Sequence, residues 1–159
     1  MVKYHRIVPI GQFSSPAEEE PFIITLASLG IGSARQSDMI ENYEDYPAVW
    51  ISVLIKSGTA PSAGRVYKVY LLRDTGNVAD DNAGGSDAAI TIENAPLLGV
   101  IGVTNTANKN FYGIFYTGTK DIGPLGHRWG IAIKNDTDQA LNASGHYAGY
   151  TYAIPSTDE

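Results

Sequence analysis

The residues whose types and spacing best suit chemistry are the oxygen-bearing side chains of residues 80–87, Asp-Asp-Asn-Ala-Gly-Gly-Ser-Asp. Carboxylate and amide oxygens are the ligands that calcium prefers, and glycines allow the tight turn of a calcium loop. Counted from Asp80 as a helix-loop-helix calcium loop, the pattern has Gly84 at position five and Thr91 at position twelve. No flanking helix is predicted either, so an irregular calcium site and a solvated, turn-rich loop stay open. We expect the solvated loop, with no metal and no cofactor.

The histidines and the other carboxylates do not form a catalytic pattern. His5, His127 and His146 lack the spacing of a triad, and the sequence has no Gly-x-Ser-x-Gly elbow and no cysteine. A glycosidase needs two carboxylates about 5–10 Å apart, but the acidic residues fall mostly in predicted loops, with only Glu93 close to strand-like sequence. Residues 30–35 begin like a dinucleotide fingerprint, yet arginine replaces the last glycine and no helix follows. We therefore expect no catalytic residues and no enzymatic activity.

Composition narrows the classes of partner. The 159 residues include 11 Lys and Arg against 17 Asp and Glu, which gives a net charge of −6. Because nucleic-acid binding needs a clustered basic surface, we expect no nucleic-acid partner. The absence of cysteine excludes disulfides and thiolate metal sites. No apolar run approaches the ~20 residues that span a bilayer, and the N-terminus lacks the apolar region of a signal peptide, so we expect no membrane association and no export.

The chain is organised around residues 46–74, YPAVWISVLIKSGTAPSAGRVYKVYLLRD. Apolar, β-branched and aromatic residues alternate over residues 48–57 and 65–74, which predicts two strands joined by the Gly/Pro/Ser loop 58–64. We interpret this unit as a central hairpin. Since both faces of each strand carry apolar residues, we expect both strands to lie inside a sheet.

Further strands are predicted along the rest of the chain, with no convincing helix. Residues 75–87 form the longest predicted loop, with almost nothing to bury, and residues 154–159 are expected to fray. Many short strands separated by turn residues predict an all-β fold, an antiparallel β-sandwich that is jelly-roll-like and forms a single domain over residues 22–159. The further predicted strands are 22–29, 88–94, 96–103, 110–117, 127–135 and 146–153.

Residues 1–21 are predicted to form an extended N-terminal arm. Pro9, Pro16 and Pro21 interrupt strand pairing, and three consecutive glutamates precede Phe22, although residues 3–10 could add one edge strand. Two interpretations stay open: a solvated segment, and an arm that reaches a neighbouring subunit.

Tyrosines raise the possibility of carbohydrate binding. The chain has ten tyrosines, and sandwich domains often bind sugars through exposed aromatic rings. Tyr150 and Tyr152 share one face of the last predicted strand, a pattern more typical of a packed sheet with hydroxyls at its rim than of a sugar platform. Low charge, a proline-rich arm and strands with two apolar faces also suit an assembly protein that buries aromatic surface against copies of itself.

Several sequence phrases resemble small structural proteins of tailed bacteriophages, encoded among head and virion genes. These phrases are GSARQSD at 32–38, SGTAPSAG at 57–64, VYKVYLLR at 66–73, SDAAITIENAPLLG at 86–99, and the GPLG to WGIAIKN stretch at 123–135.

The resemblance covers about residues 22–153 and implies a jelly-roll-like capsid cement or decoration protein. Such a protein binds the major capsid protein on the outside of the head, often as a homotrimer, and is located in the virion after assembly in the host cytoplasm. Many weak contacts suffice for this role, because copies bind multivalently. The alternative is a carbohydrate-binding β-sandwich module of a phage tail or fibre. For the cement protein we expect the contacts in the arm, residues 1–21, and in loop 42–47. The residues predicted to bind the partner are Tyr4, Arg6, Phe13, Tyr43 and Tyr46.

Overall fold

The computed structural model describes residues 7–9 and 19–155. Within these residues lie eleven strands and one short 3₁₀ turn at Asp80–Asn82, with no α-helix. The strands are β1 (Ile7–Pro9), β2 (Glu20–Pro21), β3 (Ala34–Gln36), β4 (Ile40–Glu41), β5 (Ala48–Lys56), β6 (Val66–Asp74), β7 (Ala88–Ile90), β8 (Leu97–Gly102), β9 (Asn110–Tyr116), β10 (Arg128–Asp136) and β11 (Tyr147–Pro155).

The strands form two antiparallel sheets. The first sheet has the order β1-β11-β5-β9, and β2 also pairs with β11. The second has the order β7-β3-β10-β6-β8, and β4 also pairs with β10. Every pair is antiparallel. The structure is therefore the all-β antiparallel sandwich that the strand pattern predicted, whereas the jelly-roll topology stays a prediction.

The core lies between the two sheets and follows from the two-residue alternation of each long strand. The inward residues of β5 are at most 2% exposed, and the same face of β10 carries the buried Trp129. The Trp129 ring meets Phe22 and Tyr150 edge-on, with centroids 5.5 and 5.0 Å apart. The inward residues of the central strands are Val49, Ile51, Val53, Ile55, Tyr67, Val69, Leu71, Trp129, Ile131, Ile133, Ala148 and Tyr150.

The predicted hairpin is wrong, although both of its strands exist and both lie inside a sheet. β5 pairs with β11 and β9, whereas β6 pairs with β10 and β8, so the loop between β5 and β6 crosses from one sheet to the other. The physical reason is that each strand buries one apolar face against the other across the core. A hairpin would instead have placed them side by side in one sheet.

The predicted strand at residues 22–29 is also wrong. After the Phe22 amide bonds to the Ala148 carbonyl, the chain leaves the sheet and turns at Ser28, whose φ is 55°. Phe22 and Leu26 are nevertheless buried in the main core. The apolar residues here cover the core without pairing in a ladder.

Residues 75–87, predicted to be a loop with almost no buried side chains, do contribute to an apolar cluster. Ala83 is 9% exposed and packs with Leu72, Ala95 and Ala132 in a second, smaller apolar cluster. Leu72 and Ala132 belong to β6 and β10, and they alternate with residues of the main core, so this cluster lies on the outer face of the second sheet. The predicted strand at 88–94 is shortened to β7 because the chain then turns to close this cluster.

The first two strands pair with the last strand in the first sheet. β1 pairs with residues 153–155 of β11, and β2 pairs with Gly149 and Tyr150. Residues 154 and 155 therefore continue a ladder, which corrects the predicted fraying at these two positions. The division into an arm and a domain at residue 21 stays a prediction.

Candidate functional site

The outer face of the first sheet carries a continuous group of large apolar side chains. Antiparallel pairing places Leu54 between Tyr147 and Tyr112, and places Trp50 next to Tyr116. Side chains directly opposite on neighbouring strands lie about 5 Å apart, so these residues touch or nearly touch. We call this surface the apolar outer face; its residues are Trp50, Leu54, Tyr112, Ile114, Tyr116 and Tyr147.

Alternation along the strands produces this face. The odd-numbered residues of β5 fill the core, which turns Trp50 and Leu54 outward. On β9, Phe111 is buried, whereas Tyr112 is 67% exposed and Ile114 is 71% exposed. Side chains of this size are rarely left so exposed next to one another unless a partner covers them.

The face has an aromatic pair at one end. The rings of Trp50 and Tyr116 have centroids 4.7 Å apart and planes inclined by 31°. A Cβ atom at Gly118 would collide with the Tyr116 phenol, and one at Gly149 would collide with Tyr147. Glycine at these two positions thus leaves room for the rings to lie along the sheet.

Among the described residues, charge lies only at the border of the face. Strand β9 has the sequence NFYGIFY and carries no charged residue. Lys56 lies at one end of the ladder, opposite Asn110. Burial, together with the neighbouring Glu19 carboxylate, raises the pKa of Tyr147. A partner covering this face would desolvate few charges.

In the described part of the chain, β9 is also the last strand of its sheet, hydrogen-bonded only to β5. Edge strands usually carry charges, prolines or bulges that block further pairing, and β9 has neither charge nor proline.

Two of the predicted partner-binding residues lie in the loop before β5. Tyr43 is 80% exposed. Tyr46 stacks on Tyr152, with ring centroids 4.2 Å apart and planes inclined by 27°. The partner-binding role of both residues stays a prediction. Asn42 closes the loop, since its side chain accepts from the Tyr46 amide at 3.0 Å and donates to the Tyr46 and Gly126 carbonyls. Tyr4, Arg6 and Phe13 lie outside the described residues.

The sequence pattern alone does not single out the residues of the apolar outer face as a site. Alternation alone assigns Trp50 and Leu54 to one face of their strand and Ile114 to one face of another. What it does not show is that the two strands are neighbours. The alternation in each strand was visible in the sequence, but the site can be recognised only when the β5–β9 pairing is known.

The aspartates of residues 80–87, which the sequence analysis weighed as calcium ligands, have separate structural partners. Asp80 pairs with Arg73 at 2.9 Å, and Asp87 pairs with Arg35. Asp81 accepts three backbone N–H groups, those of residues 93, 94 and 95, at 2.7–3.1 Å. Over residues 7–9 and 19–155, no group of three or more metal-ligating side chains comes together.

Comparison with known proteins adds no information about this site. Searches against protein-family models, curated proteins and solved structures found no match to this chain. The described residues contain no helix that is long and apolar enough to cross a membrane.

Proposed function

We propose that this protein is a non-enzymatic structural protein of a phage virion. In this role it is a capsid cement or decoration protein that binds the outer surface of the major capsid protein as a homotrimer. The observation that carries the proposal is the apolar outer face, together with the sequence resemblance to virion structural proteins. The proposal requires no catalytic group and no cofactor.

The apolar outer face can contribute binding energy without chemistry. Burial of apolar surface stabilises a complex by roughly 25 cal/mol per Å². Tyr112 and Ile114 are well exposed, so each has much area left to bury. Aromatic side chains also lose little conformational entropy when they are immobilised. Copies arrayed on a capsid would add avidity to such contacts, since several weak sites acting together hold far better than one.

One observation favours the second candidate, a carbohydrate-binding module of a tail or fibre. The Trp50 and Tyr116 rings lie together on this face, with centroids 4.7 Å apart and planes inclined by 31°, and sugar rings stack on aromatic side chains. A sugar site also needs hydrogen-bonding neighbours, and the next outward residue beside Trp50 on β11 is Thr151. Apart from Ser52, which lies opposite Ile114, the large side chains on the rest of the face are mainly apolar, which suits a protein partner better.

Co-sedimentation with capsids of the source phage tests the proposal. Capsids stripped of this protein are incubated with the wild type, with Ile114→Lys and with Val100→Lys. Val100 is the matched control, because it is also an apolar strand residue, 49% exposed, but lies on β8 of the second sheet. We expect the wild type and Val100→Lys to sediment with capsids and Ile114→Lys to remain in solution.

Two outcomes would contradict this account. Binding that is unchanged in Ile114→Lys would remove the apolar outer face from the contact. Failure of the wild type to bind capsids, combined with binding to a glycan array that is lost in Tyr116→Ala, would favour the carbohydrate-binding module.

A further inference from the structure

A polar groove of about 510 Å³ lies on the other sheet, beside edge strand β7. Its size is within the range of about 300–1,000 Å³ that is usual for small-molecule sites. One wall comes from the residues around the 3₁₀ turn and the other from the chain that follows β7. The lining residues that matter here are Val78, Asp81, Asn82, Thr91, Glu93 and Asn94.

Asp81 holds the two walls together. Its Oδ1 accepts the amides of Glu93 and Asn94 at 3.0 and 2.7 Å, and its Oδ2 accepts the amide of Ala95 at 3.1 Å. In return, the Asp81 amide donates to Asn94 Oδ1 at 3.1 Å. The groove is therefore preformed by the fold, which lowers the entropy cost of binding a ligand.

A buried amide fixes the base of the groove. Gln36 is 2% exposed and lines the groove. Its Nε2 donates to the carbonyls of Gly84 and Ser86, both at 2.8 Å, and its Oε1 accepts the Gly84 amide. These bonds anchor the loop over β3, on which Gln36 lies.

The lining groups offer both donors and acceptors. Because Asn94 uses Oδ1 to accept from Asp81, its Nδ2 group remains available to donate. The exposed side chains of Asn82, Thr91 and Glu93 add amide, hydroxyl and carboxylate groups. Such a mixture matches a ligand whose own groups both donate and accept, as hydroxyl groups do.

The groove also has an apolar wall and no positive charge. Val78 is 72% exposed and lines the groove with the half-buried Ile90. The C–H face of a sugar ring packs on such a surface, whereas none of the described lining residues is a lysine or arginine that could bind a phosphate or a carboxylate. Among these lining residues the Asp81 carboxylate already accepts three amides, which leaves the Glu93 carboxylate open to a cation.

We propose that this groove binds a neutral saccharide. The site is separate from the apolar outer face, because it lies on the other sheet, and it goes beyond the structural role proposed above. A virion protein with such a groove would have one surface for its particle and another for glycans.

The test uses the whole chain on an array of neutral oligosaccharides of glucose, galactose, mannose and N-acetylglucosamine, followed by calorimetry with the retained sugar. The variants are Thr91→Val, which removes a hydroxyl at nearly constant volume, and Glu93→Ala. Both residues are exposed, so neither variant should perturb the fold. The matched control is Thr119→Val, an exposed threonine outside the groove.

We expect one sugar to bind, with affinity reduced at least about tenfold in Thr91→Val and Glu93→Ala and unchanged in Thr119→Val and Ile114→Lys. Binding should also persist in EDTA. Three outcomes would overturn the proposal: retention of no array sugar, binding that depends on added calcium, or binding lost in Ile114→Lys and kept in both groove variants. The last would transfer the sugar site to the apolar outer face. Capsid binding is measured separately with the same proteins. A negative result for sugar binding or for capsid binding can therefore be interpreted independently of the other.

Discussion

The phenyl ring of Phe115 on β9 packs directly against Gly99 on β8, across the edge where the two sheets meet. A Cβ atom at Gly99 would lie 2.6 Å from Phe115 Cε1. Gly113 approaches the same ring closely as well, since its Cβ would lie 2.6 Å from Phe115 Cζ. Two glycines therefore make room for one aromatic ring that seals this side of the sandwich.

This contact predicts different effects for two glycines of the same strand. Gly99→Ala should destabilise the fold by about 1–3 kcal/mol, because the ring is confined on both sides and must move. Gly102→Ala should be neutral or stabilising by up to about 1 kcal/mol, since its Cβ would meet nothing within 4 Å. Urea unfolding of both variants measures the difference. Equal stabilities would show that the Phe115 ring can move freely.

The Asp81 side chain should contribute more to the free energy of unfolding than an ordinary surface aspartate does. Asp81→Asn keeps one acceptor oxygen and a residue that tolerates the observed φ of 53°. We expect it to lower the free energy of unfolding by about 1 kcal/mol, and Asp81→Ala to lower it by about 1–3 kcal/mol. Asp121→Ala, at an exposed position, is the control. No loss in either Asp81 variant would mean that water replaces the carboxylate.

Acid should weaken the fold partly through Asp74. Its Oδ1 accepts the Gly76 amide at 2.6 Å, and its Oδ2 pairs with Arg128. The Gly76 bond, opposed by burial and supported by Arg128, holds the pKa of Asp74 below its ordinary value of 3.8. Because the folded-state pKa is the lower one, Asp74 stabilises the fold above 3.8, and this stability is lost as the pH falls through the folded-state pKa.

Asp74→Asn should therefore be less stable than the wild type at neutral pH, and the gap should narrow as the pH falls below about 4. Urea unfolding over a pH series measures this gap. Asp121→Asn should leave the gap to the wild type near zero throughout. If the difference in the free energy of unfolding between Asp74→Asn and the wild type is the same at every pH, the substitution acts through hydrogen-bond geometry and not through charge.

The sequence predicted the strands better than their partners. Alternation placed Val49, Ile51, Val53 and Ile55 on one buried face, as observed. It favoured a hairpin of β5 and β6, which is wrong, because a short loop such as residues 58–64 can close a hairpin or cross between sheets. The β5–β11 and β5–β9 pairings join residues far apart in sequence, and no local pattern encodes them.

The roles of the candidate site residues also depend on contacts between distant parts of the sequence. Tyr43 and Tyr46 were selected because they lie in a tyrosine-bearing loop, yet Tyr46 stacks on Tyr152 from the other end of the chain. The three aspartates of residues 80–87 formed one group in the sequence but have partners in three different segments. In each case the partner, and so the role, was set by tertiary contacts.

The most direct test of the central claim is the absolute mass of the purified protein by light scattering after size exclusion, for wild type, Ile114→Lys and Val100→Lys. A homotrimer should have about three times the 17.0 kDa chain mass, stable on dilution to about micromolar. Because the apolar outer face is proposed to contact the capsid, Ile114→Lys and Val100→Lys should have the same mass as the wild type. A wild-type protein with the mass of a single chain at every concentration would contradict the account, and loss of assembly in Ile114→Lys alone would show that this face joins copies of the chain instead of binding the capsid.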